Sequence, residues 1–226
     1  MRIALSTRKL VTSDFFFIVI PTSSPEMSFS FLASRKGVGL LKTSLRLLIP
    51  RNHHHSKASP YIWEKPRTGW MKLNFDGASK CGISNHASIG GVCRDHEGLF
   101  KLGYAERIGQ ATSSVAELAA CKRGLELALQ NGWLNIWIEG DAKVVMDFLA
   151  NNAKLKSQDD LRIVKEISLL IPQLSEFHAT HIYRRGNKVA HRFAKLGYKY
   201  RKPQIWRDVP PIEVARFLQH DVAGCN

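Results

Sequence analysis

The sequence predicts an α/β fold: one mixed sheet of five strands, three antiparallel strands first, with helices packed on it. Three observations predict it. Segments of alternating polarity come before residue 107, and apolar runs with helical spacing alternate with short β-rich runs after it. The third is a change of texture near residue 60. Residues 1–60 carry nine Lys or Arg, only Asp14 and Glu26 as acids, and many Ser and Thr, whereas patterned elements begin at Pro60. The division expected is a basic, Ser-rich extension over 1–60, a folded domain over 61–202 and a C-terminal tail over 203–226. The domain of about 140 residues is long enough to bury its own core.

Each element has a local reason. Met71–Ala78 alternates Leu73 and Phe75 with Lys72, Asn74 and Asp76, the period of a half-buried strand. After the Gly/Ser/Asn stretch Cys81–Asn85, Ser88–Arg94 and Lys101–Glu106 flank Asp95–Gly98 (DHEG), a hairpin turn signal. Ser114 is placed to cap a helix running to Asn131, with Glu117 three residues on as a capping-box partner. Leu118, Cys121, Leu125, Ala128 and Leu129 give it one apolar face, and Asn131-Gly132 stops it. Asn135–Glu139 reads as a strand, Ala142–Asn152 and Asp159–Ile171 as helices, Phe177–Tyr183 as the fifth strand and Asn187–Lys199 as the last helix. Trp63, Trp70 and Trp206 flank the domain and are expected to pack on its edges.

Composition narrows the function. The chain has 226 residues, with 33 Lys and Arg against 19 Asp and Glu, a formal charge of +14. Such an excess favours polyanionic partners, nucleic acid first and anionic membrane surfaces second. Cys81, Cys93, Cys121 and Cys225 form no C-x-x-C pair, so neither a disulfide framework nor a zinc site is signalled. The apolar run Phe15–Ile20 is far short of the ~20 residues a membrane span needs. Val38–Ile49 reads as a short basic amphipathic helix, and a basic, Ser-rich, acid-poor extension is what organelle transit peptides look like. The compartment expected is nuclear or cytoplasmic, or mitochondrial or chloroplast if residues 1–60 are a transit peptide. His53, His54 and His55 read as solvated linker residues.

Three carboxylates carry the chemistry. Asp76 ends the first strand, Glu117 lies near the start of an apolar helix, and Asp141 follows the fourth strand. Carboxylates that converge repel unless a cation lies between them, and an oxygen-ligated divalent ion is the simplest solution. Each also has a plainer reading: turn chemistry for Asp76-Gly77, capping for Glu117, and an N-cap for Asp141.

The element order with these acids resembles ribonuclease H type 1, in particular the reverse-transcriptase-like ribonuclease H domains of plants. The motifs are KLNFDGA (Lys72–Ala78), ASIGGVCRDHEG (Ala87–Gly98), ATSSVAEL (Ala111–Leu118), IEGDAKVV (Ile138–Val145) and RRGNKVAHRFAK (Arg184–Lys195). The resemblance covers about residues 68–200. It implies the ribonuclease H-like fold and hydrolysis of the RNA strand of RNA–DNA hybrids by a two-metal mechanism, with two Mg²⁺ ions, or Mn²⁺ in their place. It implies metal ligands at Asp76, Glu117 and Asp141, and a monomer acting on a hybrid with no membrane and no small-molecule cofactor. The family's fourth carboxylate falls where this chain has His191, read as a catalytic substitute ligand whose softer nitrogen suits Mn²⁺ better than Mg²⁺. His181, on the last strand, is read as structural. Substrate contacts implied are Asn85 in the turn Ser79–His86 beside the RNA strand, Thr112 at a DNA phosphate, Ser114, and Asn187 at the start of the last helix. Lys188, Arg192, Lys195 and Lys199 recur at three- or four-residue spacing, a basic face suited to phosphates. The competing readings are a non-catalytic nucleic-acid-binding module and a retroelement-derived domain with a degenerate site.

Overall fold

The computed structural model describes residues 62–80, 86–151 and 157–223, together with three two-residue strands near the N-terminus. Those strands, Val11–Thr12, Phe15–Phe16 and Ala33–Ser34, pair antiparallel within a first compact unit, Met1–Arg46. The amphipathic segment 38–49, the His53–His55 run and Asn85 lie outside the described residues. No helix among the described residues is long and apolar enough to cross a membrane.

The second unit, Leu47–Asn226, holds the mixed sheet with packed helices that the element order predicts. Strands β1 (Met71–Ser79), β2 (His86–Arg94) and β3 (Phe100–Gln110) form an antiparallel meander. Helix α1 (Ser113–Gln130) leads to β4 (Asn135–Gly140), parallel to β1. Helices α2 (Lys143–Asn151) and α3 (Gln158–Leu170) precede β5 (Glu176–His181), parallel to β4. Helix α4 (Lys188–Leu196) follows. The sheet has six strands rather than five, because β6 (Gln204–Arg207) pairs antiparallel with β3. The sheet order is β5-β4-β1-β2-β3-β6. Residues 203–222, expected from the sequence as a tail, thus supply an edge strand and helix α5 (Ile212–Val222). Trp206 of β6 packs against Phe193 and Tyr200, which ties that strand down.

The core splits by sheet face. Leu73, Phe75, Leu102, Ile136 and Ile138 meet the apolar faces of α1 and α3. On the other face Val92 and Ala105 meet Val189, Phe193 and Leu196 of α4 and Val214 and Leu218 of α5. Strand β1 is therefore buried on both faces, not half-buried. Its polar row, Lys72, Asn74 and Asp76, is at most 1% exposed.

A polar network, in which Arg94 Nε alone is left without a partner, makes that burial tolerable. Lys72 Nζ lies 3.0 Å from Glu139 Oε2 and donates to the Glu64 carbonyl at 2.9 Å. Asn74 donates to Glu139 at 3.0 Å and accepts from Trp63 Nε1 at 2.8 Å and from Arg94 at 2.9 Å. Arg94, 1% exposed, pairs with Asp221 of α5 at 2.7 Å beneath the Trp63 ring. A buried pair is weak evidence of net stabilisation, but losing one partner strands the other charge. Asp221→Ala should therefore lose roughly 3–5 kcal/mol in urea unfolding. A loss below about 1 kcal/mol would show that the Arg94–Asp221 pair adds little to the tie between α5 and the sheet.

Candidate metal centre and adjoining grooves

The parallel pairing of β1 with β4 sets Asn74 beside Glu139, so two residues further on Asp76, still within β1, and Asp141, just past β4, reach the same end of that pair. Glu117 comes from α1, and a glycine lets it arrive. A Cβ on Gly77 would lie 2.3 Å from Ala116 C and 2.3 Å from Glu117 N, so β1 and α1 touch backbone to backbone there. The result is a cluster in which one carboxylate oxygen from each of Asp76, Glu117 and Asp141 lies within 4.8 Å of the others.

The plainer readings of these acids do not fit the geometry. The α1 N-cap is Thr112, whose Oγ1 accepts from Val115 N at 3.2 Å, and not Ser114. Glu117 is then five residues past the cap, beyond the third position a capping box requires. Helix α2 begins at Lys143, so Asp141 precedes its cap position. Asp141 Oδ1 instead accepts from Asn187 Nδ2 at 2.8 Å, and the same amide donates to the Phe75 carbonyl at 2.9 Å. Asn187, 2% exposed, thus positions Asp141; the substrate contact expected of it from the sequence is not open to a buried side chain. His181 Nε2 lies 3.3 Å from the Asp141 carbonyl and its ring edges Tyr183, in keeping with its structural reading.

Burial and mutual repulsion leave the site short of positive charge. Burial foremost, then the charges of Asp76 and Asp141, pushes Glu117 up to about 9 despite a hydrogen bond from the Gly77 backbone. Asp76 is also raised, first by burial, against the opposing effect of His191. Glu117 Oε2 is buried with no hydrogen-bond partner. Three hard oxygen donors, one of them unsatisfied, fit an oxygen-ligated divalent cation such as Mg²⁺ or Mn²⁺.

The sign of the pH dependence follows. A carboxyl whose folded pKa is raised stabilises the protein below its unfolded pKa, near 4.5, and loses that contribution as pH climbs through about 9. Without metal, the melting temperature should fall across this window through Glu117. Added Mg²⁺ should therefore raise it more at pH 8 than at pH 5. An equal rise at both values in a thermal-shift series would count against the cluster as the binding site.

His191 stands apart from the three oxygens. Its Nδ1 lies 2.9 Å from Asp76 Oδ2. Arg184 Nη2 lies 3.3 and 3.2 Å from the two ring nitrogens, which places it over the ring face rather than in line with either nitrogen. Helix α4 comes close enough for this contact because Gly90 of β2 has no side chain; a Cβ there would lie 2.1 Å from Ala194 N.

Two grooves lie near the N-terminus of α1, and one of them reaches the cluster through Gly77 and His191. One, of about 500 Å³, runs along α4 between Gly77–Lys80 and the side chains of Arg184, His191, Lys195, Tyr198 and Lys199. The other, of about 550 Å³, is lined by Gln110, Thr112, Asp159 and Arg162. Ser79 and Ser113 line both and form the ridge between them. Ser113, not Ser114, is the serine that faces the grooves. The basic stripe expected on the last helix is split. Arg192 lies 4.6 Å over the Phe217 ring of α5, and Lys188 acts on Asp221, while Lys195 faces the first groove. Arg184, Lys80 and Tyr198 were not legible as site residues. The Arg184-Arg185-Gly186 turn carried a charge signal, but nothing in its spacing aimed it at Asp76.

Comparison with known proteins agrees with this geometry. The profile of the family described as reverse transcriptase-like matches residues 74–197, more than half of the chain. An Arabidopsis thaliana protein that carries a ribonuclease H name is 28% identical over 162 residues, covering 72% of this chain and 26% of its own length. Ribonuclease HI of Halobacterium salinarum is 28% identical over 133 residues, 59% of this chain and 66% of that protein. The crystal structure of the Halobacterium RNase H1 matches with a TM-score of 0.55 at 27% identity, over 57% of this chain and 98% of that one. LC11-RNase H1, solved in complex with an RNA/DNA hybrid, shares the fold at a TM-score of 0.51 and 22% identity, over 57% of this chain and 96% of that one. The chain thus spans about a quarter of the Arabidopsis protein and under two thirds of the curated Halobacterium sequence.

Proposed function

We propose, from the premise that this chain belongs to the reverse transcriptase-like family, that it is a metal-dependent endonuclease cutting the RNA strand of RNA–DNA hybrids. The observation that carries the proposal is the cluster of Asp76, Glu117 and Asp141 on three separate elements, with its oxygens within 4.8 Å of one another. Asp76, Glu117 and Asp141 would hold the divalent ions, which when bound would supply an activated water and stabilisation of the departing 3′ oxygen, with 3′-hydroxyl and 5′-phosphate ends as products.

The chain's own residues set the stage for that chemistry. Asp76, Glu117 and Asp141 form the cluster, each offering one carboxylate oxygen. Asn187 fixes the Asp141 carboxylate through its amide. Arg184 brings a fixed positive charge to an otherwise anionic site, which eases entry of a phosphodiester. Thr112, at the α1 N-terminus, offers a hydroxyl and the helix dipole to a phosphate of the complementary DNA strand. The excess of cations over the whole chain draws polyanions toward the site.

The His191–Asp76 contact favours one alternative, a domain that binds hybrid without cutting it, because it engages the Asp76 oxygen a metal would use. His191→Asp separates the two. It replaces the imidazole by a fourth hard oxygen donor, and Mg²⁺-supported cleavage of a labelled hybrid should rise about tenfold or more relative to Mn²⁺-supported cleavage. An unchanged ratio would remove His191 from control of metal preference. Absence of cleavage by the unaltered chain in either ion, with hybrid binding retained, would favour the binding module.

A further inference from the structure

Strand β1 pairs with β4 from Met71 opposite Ile136 to Asn74 opposite Glu139, and the pairing ends there. Beyond that point β1 continues with β2 to Ser79, and β4 continues with β5 to Gly140. Asp76 and Asp141 therefore stand two residues past the last backbone pair that joins their strands. No such pair among the described residues fixes the separation of these two carboxylates, and their charges push them apart. The Asn187 amide bridges the strands past the parting, from the Phe75 carbonyl to Asp141.

The last pair before the parting carries a bond of its own. Asn74 Nδ2 donates to Glu139 Oε2 at 3.0 Å, and both side chains are buried. The direction of that amide is forced. Its oxygen already accepts from Trp63 Nε1 at 2.8 Å and from Arg94 Nη2 at 2.9 Å, so only the nitrogen is left to face Glu139. Glu139 is held in turn by Lys72 at 3.0 Å and by the Thr180 hydroxyl at 3.1 Å. Arg94 is drawn to its place by Asp221 of α5 at 2.7 Å. A chain of buried contacts thus runs from α5 through Arg94 and Asn74 to the rung from which Asp76 and Asp141 both extend.

We infer that Asn74 and Glu139 are positioning residues of the metal centre. Their side-chain bond buckles β1 to β4 where the strands part, sets the separation of Asp76 and Asp141, and is kept closed from α5 by Asp221 through Arg94. The inference rests on the metal-dependent reading of the cluster and adds to it the residues that hold the cluster to width. With the buckle open, repulsion spreads the carboxylates, and a cation must draw them together again at a cost in affinity.

The test is calorimetric titration of the full chain with Mn²⁺, below the melting temperature of every variant. Asn74→Ser leaves a side chain too short to reach Glu139 and should weaken Mn²⁺ binding by about tenfold. Glu139→Gln keeps an oxygen for the Asn74 amide while removing the charge, and should bind Mn²⁺ within about twofold of the unsubstituted chain. Asp221→Asn keeps an acceptor for Arg94 but not the charge that draws it, and should weaken binding about threefold. Leu218→Ala, which takes an apolar anchor from α5 and no polar contact, should lower the melting temperature and leave Mn²⁺ affinity unchanged. Equal affinity in Asn74→Ser and the unsubstituted chain would overturn the inference. So would a loss in Leu218→Ala or Glu139→Gln as large as that in Asn74→Ser. If Asn74→Ser does not fold, Asp221→Asn set against Leu218→Ala decides, and equal affinities overturn the inference. The two readings fail apart. Mn²⁺ affinity that follows these variants in a chain that leaves hybrid intact refutes the enzyme alone. Hybrid cleavage by a chain whose Mn²⁺ affinity ignores them refutes the buckle alone.

Discussion

Asp76→Asn should lower hybrid cleavage by at least about a thousandfold, because it removes both a charge and an oxygen donor from the cluster. It should also abolish divalent-ion binding in calorimetry. A third effect distinguishes this substitution from simple damage. With one of the three clustered carboxylates neutralised, Glu117 loses a neighbouring charge that helps to hold its pKa near 9. The metal-free variant should therefore melt at or above the temperature of the unsubstituted chain at pH 8, since relieved repulsion offsets the weakened His191 contact. Activity within tenfold of the unsubstituted chain would remove Asp76 from the chemistry.

Gly77→Ala should be among the most damaging single methyl groups in the domain, beside Gly90→Ala. The added Cβ would lie 2.3 Å from two backbone atoms of α1, and backbone cannot swing aside as a side chain can. Strand β1 and helix α1 would have to part. We expect a loss of about 3 kcal/mol in urea unfolding. We also expect weakened metal binding, because Asp76 and Glu117 sit on the two elements being separated. Gly132→Ala is the matched comparison. Its Cβ meets nothing within 4 Å, and only the φ of +71° opposes it, so about 1–2 kcal/mol is expected. If the two variants lose equally, close packing of β1 on α1 is not what brings the acids together.

The parts of this domain that local pattern controls were legible in the sequence. Strand alternation, the DHEG turn and the apolar spacing of α1 locate the meander and the first helix, and the three acids fall where those elements end or begin. What escaped was set by residues distant in sequence. The row Lys72, Asn74 and Asp76 looks solvent-facing by alternation, yet Trp63, Arg94 and Asp221 cover it. The sixth strand is four residues long and gains its place from Trp206 packing on Phe193 rather than from its own pattern. The even spacing of Lys188, Arg192, Lys195 and Lys199 suggests one basic face, but Phe217 of α5 claims Arg192. The helix cap lies two residues earlier than expected because Thr112, like Ser114, is a good cap, and only the backbone decides between them. His191 was legible as a departure from the family pattern; that its ring turns toward Asp76 depends on how closely Gly90 lets α4 approach.

If the three carboxylates make this domain a hybrid-cutting nuclease, the cut itself is the direct readout. The measurement is cleavage by the full chain, in Mg²⁺ and in Mn²⁺, of an RNA–DNA hybrid labelled on each strand in turn, beside RNA and DNA duplexes of the same sequence. We predict cuts in the RNA strand of the hybrid alone, leaving 3′-hydroxyl and 5′-phosphate ends, and none without metal. Cleavage of the DNA strand, equal cleavage of all three duplexes, or intact hybrid in both ions would contradict that role.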